Sequence, residues 1–459
     1  MRNKTVILLP LVLLLGCACG GGRAVPEPSG YHTAAGMIVA PDGQALFLRG
    51  INVREEAKYH SAHIIPLADG ELVELTASGF TAVRLLAFWQ AVMPQPDTID
   101  EDYLDRLEAE ARRLDGHGFF LVIDMHQDLW GDPFGNGAPA WACPDELKQD
   151  YQPQDPWWSN YFSDQVTACF DNFWADDALQ AAYAGAWRAV AGRLCGLERL
   201  VGFDLMNEPF PGSSFAQPDS ENALLAPFYQ RLADAIEEVC PEKIFFLEPS
   251  RAYDLGLSRA LDIPARLAGR VALAPHFYPP AVHEDGAGYD GDAAALADSL
   301  DGLYDDYRRQ GVPVWLGEFG GLTGNPNFAA YLVDLQRIMF ERNWGGALWA
   351  YSRGDGGFSF LDAAGERKQV FTDFCAVPVP VRLPDAPPIL AADFLTPALE
   401  VEVNCRAQRV VELLLPGAGR WQVAFEPPGV LEQPSVSGHL LSAACRGEGS
   451  LTLTVSALH

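Results

Sequence analysis

Leu200-Val201-Gly202-Phe203-Asp204-Leu205-Met206-Asn207-Glu208-Pro209 is an apolar run that closes on polar residues, and it is the fourth of eight comparable runs in the chain. The others are Leu46 to Val53, Phe80 to Leu86, Phe119 to Met125, Ile244 to Glu248, Val271 to Phe277, Val314 to Phe319 and Gly346 to Tyr351. Longer amphipathic stretches separate them. Within Asp102 to Leu114, for example, Tyr103, Leu104, Leu107, Ala111 and Leu114 form one apolar stripe at helical spacing. Near-continuous apolar strands alternating with helices predict parallel strands covered on the outside. Eight of them close a barrel more naturally than an open sheet, so the fold class is read as α/β, a (β/α)8 TIM barrel.

Beyond Phe374 the pattern changes. Pro378, Pro380, Pro384, Pro387 and Pro388 mark a linker, after which Leu399 to Val403, Val410 to Leu415, Trp421 to Phe425 and Leu451 to Val455 alternate as strands do. These predict a small C-terminal β-sandwich. At the other end, Arg2 and Lys4 precede the apolar run Val6 to Leu15, the layout of an export signal too short to span a bilayer comfortably. Leu14-Leu15-Gly16-Cys17 resembles a lipobox, which implies lipidation of Cys17; an ordinary secreted, soluble product is the alternative. The expected organisation is a signal peptide at 1–16, a tether at 17–35, the catalytic barrel at 36–376 and the sandwich at 377–459.

The chain has 459 residues and a formal net charge of -29, from 61 acidic against 32 basic side chains. Phosphate backbones would be repelled, so no nucleic acid partner is expected. With Cys17 acylated, eight cysteines remain in an oxidising compartment, where disulfides are expected. Sequence leaves about 105 pairings open; Cys143 with Cys169 and Cys405 with Cys445 are favoured. The long segment Trp130 to Trp174 carries seven Trp or Tyr among prolines and acids, and predicts an elaborated wall near the barrel mouth.

In this topology reactive groups lie at the C-terminal ends of strands. The fourth run ends in Asn207-Glu208-Pro209, and the seventh contains Gly317-Glu318-Phe319-Gly320. Two glutamates across one mouth suit glycosidic cleavage, one protonating the leaving oxygen and one attacking the anomeric carbon. Either alone reads as readily as a loop cap or ion-pair partner. Together the two motifs resemble the acid/base and nucleophile motifs of glycoside hydrolase clan A, family 5 in particular. Arg84, His126, Asn207, His276, Tyr278 and Trp349 match other positions of that pattern. The resemblance implies that Arg84 and Tyr278 hold Glu318 ionised, that Asn207 binds the sugar 2-hydroxyl, and that Trp349 faces a pyranose ring.

A narrower likeness follows. Asp124-Met125-His126-Gln127-Asp128, Phe134-Gly135-Asn136-Gly137-Ala138-Pro139-Ala140-Trp141-Ala142 and Arg49-Gly50-Ile51-Asn52-Val53 with Lys58-Tyr59 are similar to endoglycoceramidases, which cleave between an oligosaccharide and ceramide. This implies a glycolipid substrate, with Lys58, His126 and Asp128 binding the glycan, and a membrane association through the lipid anchor. A polysaccharide-active family 5 endoglucanase is the alternative, and a non-catalytic glycan-binding lipoprotein a third. His126 and Asp128 lack a third ligand at suitable spacing, so no metal is expected. No cofactor is expected either, because double displacement through carboxylates needs none. Nothing in the sequence bears on oligomeric state.

Overall fold

The computed structural model describes residues 30–283, 288–385, 388–417 and 419–458. The expected signal peptide, Cys17 and most of the tether lie outside the described residues, as does Pro387. Three short strands open the fold: β1 (His32–Ala34), β2 (Met37–Val39) and β3 (Ala45–Leu46). The barrel follows with β4 (Arg49–Val53), β5 (Ala82–Ala87), β6 (Phe120–Met125), β7 (Leu200–Asp204), β8 (Ile244–Leu247), β9 (Val271–Leu273), β10 (His276–Phe277), β11 (Trp315–Phe319) and β12 (Gly345–Tyr351). All neighbouring pairs are parallel, in the order β10-β11-β12-β4-β5-β6-β7-β8-β9.

Nine strands stand where eight runs were read, because the sixth run is split between β9 and β10. Pro275 sits in the gap and has no N–H to give to a ladder. The barrel still closes there: Leu273 bridges Val314, and Gly317 N–H donates to the Pro275 carbonyl at 3.0 Å. The first run is also divided. Ala45 and Leu46 leave the barrel and pair with Leu383 and Arg382.

Helices cover the barrel as the periodicity predicts. The helix Glu101–His117 is capped by Asp100, which accepts from Tyr103 N–H at 2.8 Å, and it ends at Gly118 with φ 101. Its buried stripe of Tyr103, Leu104, Leu107, Ala111 and Leu114 is the one read from the sequence.

Two antiparallel sheets complete the chain, built from β13 (Val379–Leu383), β14 (Ile389–Asp393), β15 (Ala398–Cys405), β16 (Val410–Leu414), β17 (Arg420–Glu426), β18 (Ser435–Ser437), β19 (Leu440–Ala444) and β20 (Gly449–Leu458). One sheet runs β1-β2-β3-β13-β16-β19-β18 and the other β14-β15-β20-β17. They share one apolar core that includes Met37, Phe47, Val379, Val401, Leu413 and Leu453. The expected boundaries at 36 and 377 are therefore cut across, because the N-terminal strands complete the C-terminal sheet. Nor is the proline stretch only a linker: Val379–Leu383 is an inner strand, and Pro380 is accommodated where the register with β16 shifts.

Both favoured disulfides are present, Cys143–Cys169 and Cys405–Cys445, together with a third, Cys195–Cys240. Cys375 is a buried free thiol, which departs from the expectation that the mature cysteines would pair. No described helix is long and apolar enough to cross a membrane.

Candidate active site

The strand ends bring Glu208 and Glu318 to one mouth. Glu318 lies within β11, 5% exposed, and Glu208 follows β7 with about a third of its side chain open to solvent. Glu208 adopts φ 42, a left-handed conformation that costs a residue with a Cβ. Two bonds hold it there. Its N–H donates to Glu248 Oε2 at 2.8 Å, and its carbonyl accepts from Gln127 Nε2 at 2.9 Å. One atom each of Glu208, His276 and Glu318 lie within 4.8 Å of one another. That approach is of the order of the separation between the carboxyls of a retaining pair, about 5–5.5 Å.

Glu318 is held at both oxygens. Arg84 Nη1 donates to Oε1 at 3.0 Å and the Tyr278 hydroxyl to Oε2 at 2.8 Å, with His276 Nδ1 3.4 Å from Oε2. The sequence reading has Arg84 and Tyr278 keep this carboxylate ionised. Its pKa is nevertheless raised, because burial outweighs the pull of His276 and Arg84. Glu208 shifts the other way. Burial pushes its pKa up, but the hydrogen bond and charge of His276, 2.9 Å away at Nδ1, outweigh burial and leave it lowered. Burial also works against charge on His276, yet Glu248, Glu318 and Glu208 together raise its pKa well above the ordinary range. His276 thus lies between the two carboxyls, bonded to Glu208 and facing Glu318.

Beside the glutamates, Lys58 ends a short 3-10 turn (Glu55–Lys58) and reaches Asp128 at 2.9 Å. Its Nζ lies 4.2 Å from the Trp349 ring centre, and that ring stacks on His126 at 5.3 Å and 9°. Trp349 is only 6% exposed, so the face it can offer a sugar is small. Asp128 also accepts from Asn136 Nδ2 at 2.8 Å, and its pKa is lowered because Lys58 and His126 outweigh burial. Asn207 accepts from Arg84 at 3.0 Å and donates to the Gln127 carbonyl at 2.9 Å. All ten expected positions, Glu208, Glu318, Lys58, Arg84, His126, Asp128, Asn207, His276, Tyr278 and Trp349, are thus drawn into one contiguous constellation.

Asp124, Asp204, Glu248 and Asn52 belong to it as well and were not singled out from sequence. Glu248 carried the same signal as Glu208, an acid closing an apolar strand before proline. Asp124 and Asp204 lie inside apolar strands, where one letter does not reveal which way it points.

The wall from Trp130 to Trp174 is partly self-packed. Trp130 is buried against Trp89, Phe170 and Phe173, and the Cys143–Cys169 disulfide clips the segment. The 3-10 turn Trp157–Phe162 leaves Trp157, Trp158 and Phe162 half exposed, while its Tyr161 packs on Phe210, two residues past Glu208.

Comparisons with known proteins agree with this geometry. Residues 48–355 match the model described as Cellulase (glycosyl hydrolase family 5). Endoglycoceramidase I of Rhodococcus hoagii is 29% identical over 368 residues, covering 74% of this chain and 70% of that protein. The structure of endo-glycoceramidase II from Rhodococcus sp. in complex with ganglioside GM3 superposes with a TM-score of 0.81 at 27% identity, covering 93% of this chain and 100% of that one. The lactosyl-enzyme intermediate of the same enzyme gives a TM-score of 0.79 at 27% identity, with coverage of 93% and 100%.

Proposed function

Because the chain belongs to glycosyl hydrolase family 5, we propose that it hydrolyses the bond between glycan and ceramide in glycosphingolipids, with retention. Glu318 attacks the anomeric carbon to form a glycosyl-enzyme, and Glu208 protonates the departing oxygen and then deprotonates the incoming water. The observation that carries the chemistry is the single mouth at which these two carboxylates face each other within 4.8 Å, held by Arg84, Tyr278 and His276. His276 Nδ1, 2.9 Å from Glu208 and 3.4 Å from Glu318, orients both carboxyls across the mouth.

Asn207 places one amide hydrogen on the Gln127 carbonyl and keeps the second for the sugar 2-hydroxyl. The group of Lys58, Asp128, His126 and Trp349 takes the remaining hydroxyls. For the aglycone, the likeness to endoglycoceramidases extends over both antiparallel sheets as well as the barrel, and the turn that carries half-exposed Trp157, Trp158 and Phe162 packs through Tyr161 and Phe162 on Phe210, two residues past Glu208, as an apolar approach. The same reading has the chain exported and tethered through an acylated Cys17; incorporation of labelled palmitate that vanishes in Cys17→Ser tests that part separately.

The deciding experiment incubates the chain from residue 23 onward with lactosylceramide in detergent and, separately, with a soluble β-glucan, beside Glu318→Gln. Release of intact lactose and ceramide that the variant abolishes is the expected result. Glucan cleavage without ceramide release would instead make the enzyme a polysaccharide hydrolase.

A further inference from the structure

Arg84 is completely buried, and every one of its five N–H bonds is committed. Nε donates to Asp204 Oδ2 at 2.9 Å, Nη1 to Asn52 and Glu318 at 3.0 Å each, and Nη2 to Asn207 and Glu248 at 3.0 Å each. Asp124 Oδ1 also lies 3.0 Å from Nη2, but no hydrogen is left for it. Four carboxylates therefore crowd one guanidinium, and two of their buried oxygens, Asp124 Oδ1 and Asp204 Oδ1, have no hydrogen-bond partner. A buried acceptor without a donor is costly, and two beside each other in a like-charged cluster are more so.

The four acids are not equal. Glu318 has donors on both oxygens, and so does Glu248, from Arg84 on one and Glu208 N–H on the other. Asp124 Oδ2 faces His126 Nδ1 at 2.8 Å. Among the described residues, Asp204 has only the Nε hydrogen bond.

We propose that Asp204 is a neutral carboxylic acid whose proton bonds the orphaned oxygen of Asp124, and that in this form it positions Arg84 against Glu318 without cancelling its charge. One oxygen each of Asp124, Asp204 and Glu248 lie within 4.8 Å of one another, so the carboxyls of Asp124 and Asp204 are neighbours in one cluster. A bound cation would also relieve the crowding, but Arg84 already stands 2.9–3.0 Å from all three carboxylates and would repel it. The charged groups facing Asp204 are Arg84 on β5, Asp124 on β6, Glu248 after β8 and His276 on β10. The Tyr183 and Tyr229 hydroxyls nearby donate to the carbonyls of Leu205 and Glu248 instead. Burial, with Glu248 and Asp124, outweighs Arg84 and raises the Asp204 pKa well above the carboxylate range, in keeping with this assignment.

The test uses the full chain and two substitutions. Asp204→Leu removes the bond to Nε and is expected to lower kcat/KM by about a hundredfold or more. Asp204→Asn reproduces a neutral acid, accepting from Nε and donating to Asp124, and is expected to recover most of that loss with both limbs of the pH profile where the wild type has them. If Asp204 is ionised, the amide instead removes a negative charge from beside Arg84, the nucleophile's pKa falls, and the acid limb moves down by about one unit; that shift overturns the proposal.

A second readout is independent of activity and of the two variants folding. In wild type grown on 13C-aspartate, the infrared stretch of a protonated carboxyl is expected at pH 9, where Asp254, raised by burial to about 7, has ionised. No such band overturns the proposal. The activity assays rest on the glycosidase reading of Glu318, whereas the band does not, so failure of one is distinguishable from failure of the other.

Discussion

Two of the arginines buried among the described residues, Arg84 and Arg49, live opposite lives. Arg84, in the middle of β5, spends all five donors on side chains of the mouth and has its pKa raised well above the ordinary guanidinium range, because four carboxylates outweigh burial. Arg49 begins β4 at the other end of the barrel. It stacks on Phe374 at 4.0 Å and donates to that residue's carbonyl, while among the described residues its Nε and Nη1 have no partner and no carboxylate ion-pairs with it. Burial lowers its pKa to about 10 against the charge of Cys375. Gly79, at φ 87, leaves the space the guanidinium fills, since a Cβ there would come 2.8 Å from Nη1. One end of the barrel thus concentrates paired charge and the other only tolerates a lone cation, which is the division of labour expected between the catalytic and stabilising faces of this fold.

The contrast breaks most visibly at Arg84. Arg84→Met leaves buried carboxylates without a counter-charge, and is expected to cost about 3–5 kcal/mol of stability and about a thousandfold or more in kcat/KM. Arg84→Lys should recover little, because one ammonium cannot replace five directed donors. Chemical denaturation and steady-state kinetics on both variants measure this. A lysine variant with near-normal activity would mean that charge alone matters at this end.

Glu318→Gln is expected to abolish turnover, by about a thousandfold or more, and yet to be more stable than wild type at high pH. The sign follows from the raised pKa. The folded state binds this proton more tightly than the unfolded one, so its stabilisation is full below the unfolded value near 4.3 and is lost as pH rises through the folded value. Melting temperatures of the two proteins should therefore converge in acid and separate at pH 8, with the glutamine higher. The reverse order would mean that the ion pair with Arg84 outweighs burial.

A smaller effect belongs to His276. Its hydrogen bond and charge are what hold the Glu208 pKa down, so His276→Asn is expected to let it rise, read as an upward shift in the carboxyl NMR titration of Glu208, alongside a loss in rate of about ten- to a hundredfold. An unmoved titration would mean that His276 does not set the Glu208 pKa.

Much of this was legible in the sequence, and the reasons are specific. Glu208 and Glu318 stood out because each interrupts or closes an apolar run, and in a parallel barrel such positions converge on one mouth. Glu248 carried the same signal and was passed over. Asp124 was hidden differently. It shares a strand face with His126 two residues on, but nothing in the letters states that the face is the inward one. Lys58 and Trp349 meet only because the barrel closes between β12 and β4, a contact no spacing encodes. The proline-rich stretch misled for a physical reason: proline is read as a breaker, yet a register shift can absorb it inside a sheet. Arg49 was quoted only as part of a motif, and its lack of a counter-charge is a property of packing.

That lack sets the last expectation. Arg49→Met keeps most of the volume, removes an uncompensated cation and two orphaned nitrogens with their three N–H bonds, and gives up the bond to the Phe374 carbonyl and the stacking on its ring. Relief of the buried charge stabilises by an amount similar to the lost contacts, so stability should change by no more than about 1 kcal/mol in either direction. Because Arg49 begins its strand at the end away from Glu208 and Glu318, kcat/KM and both pH limbs should stay at wild-type values. Urea denaturation and a pH profile of this one variant are enough to check it. A loss of several kcal/mol would mean that Arg49 has a counter-charge after all, with the Cys375 thiolate the group to examine, and a shifted pH limb would mean that the two ends of the barrel are electrostatically one site.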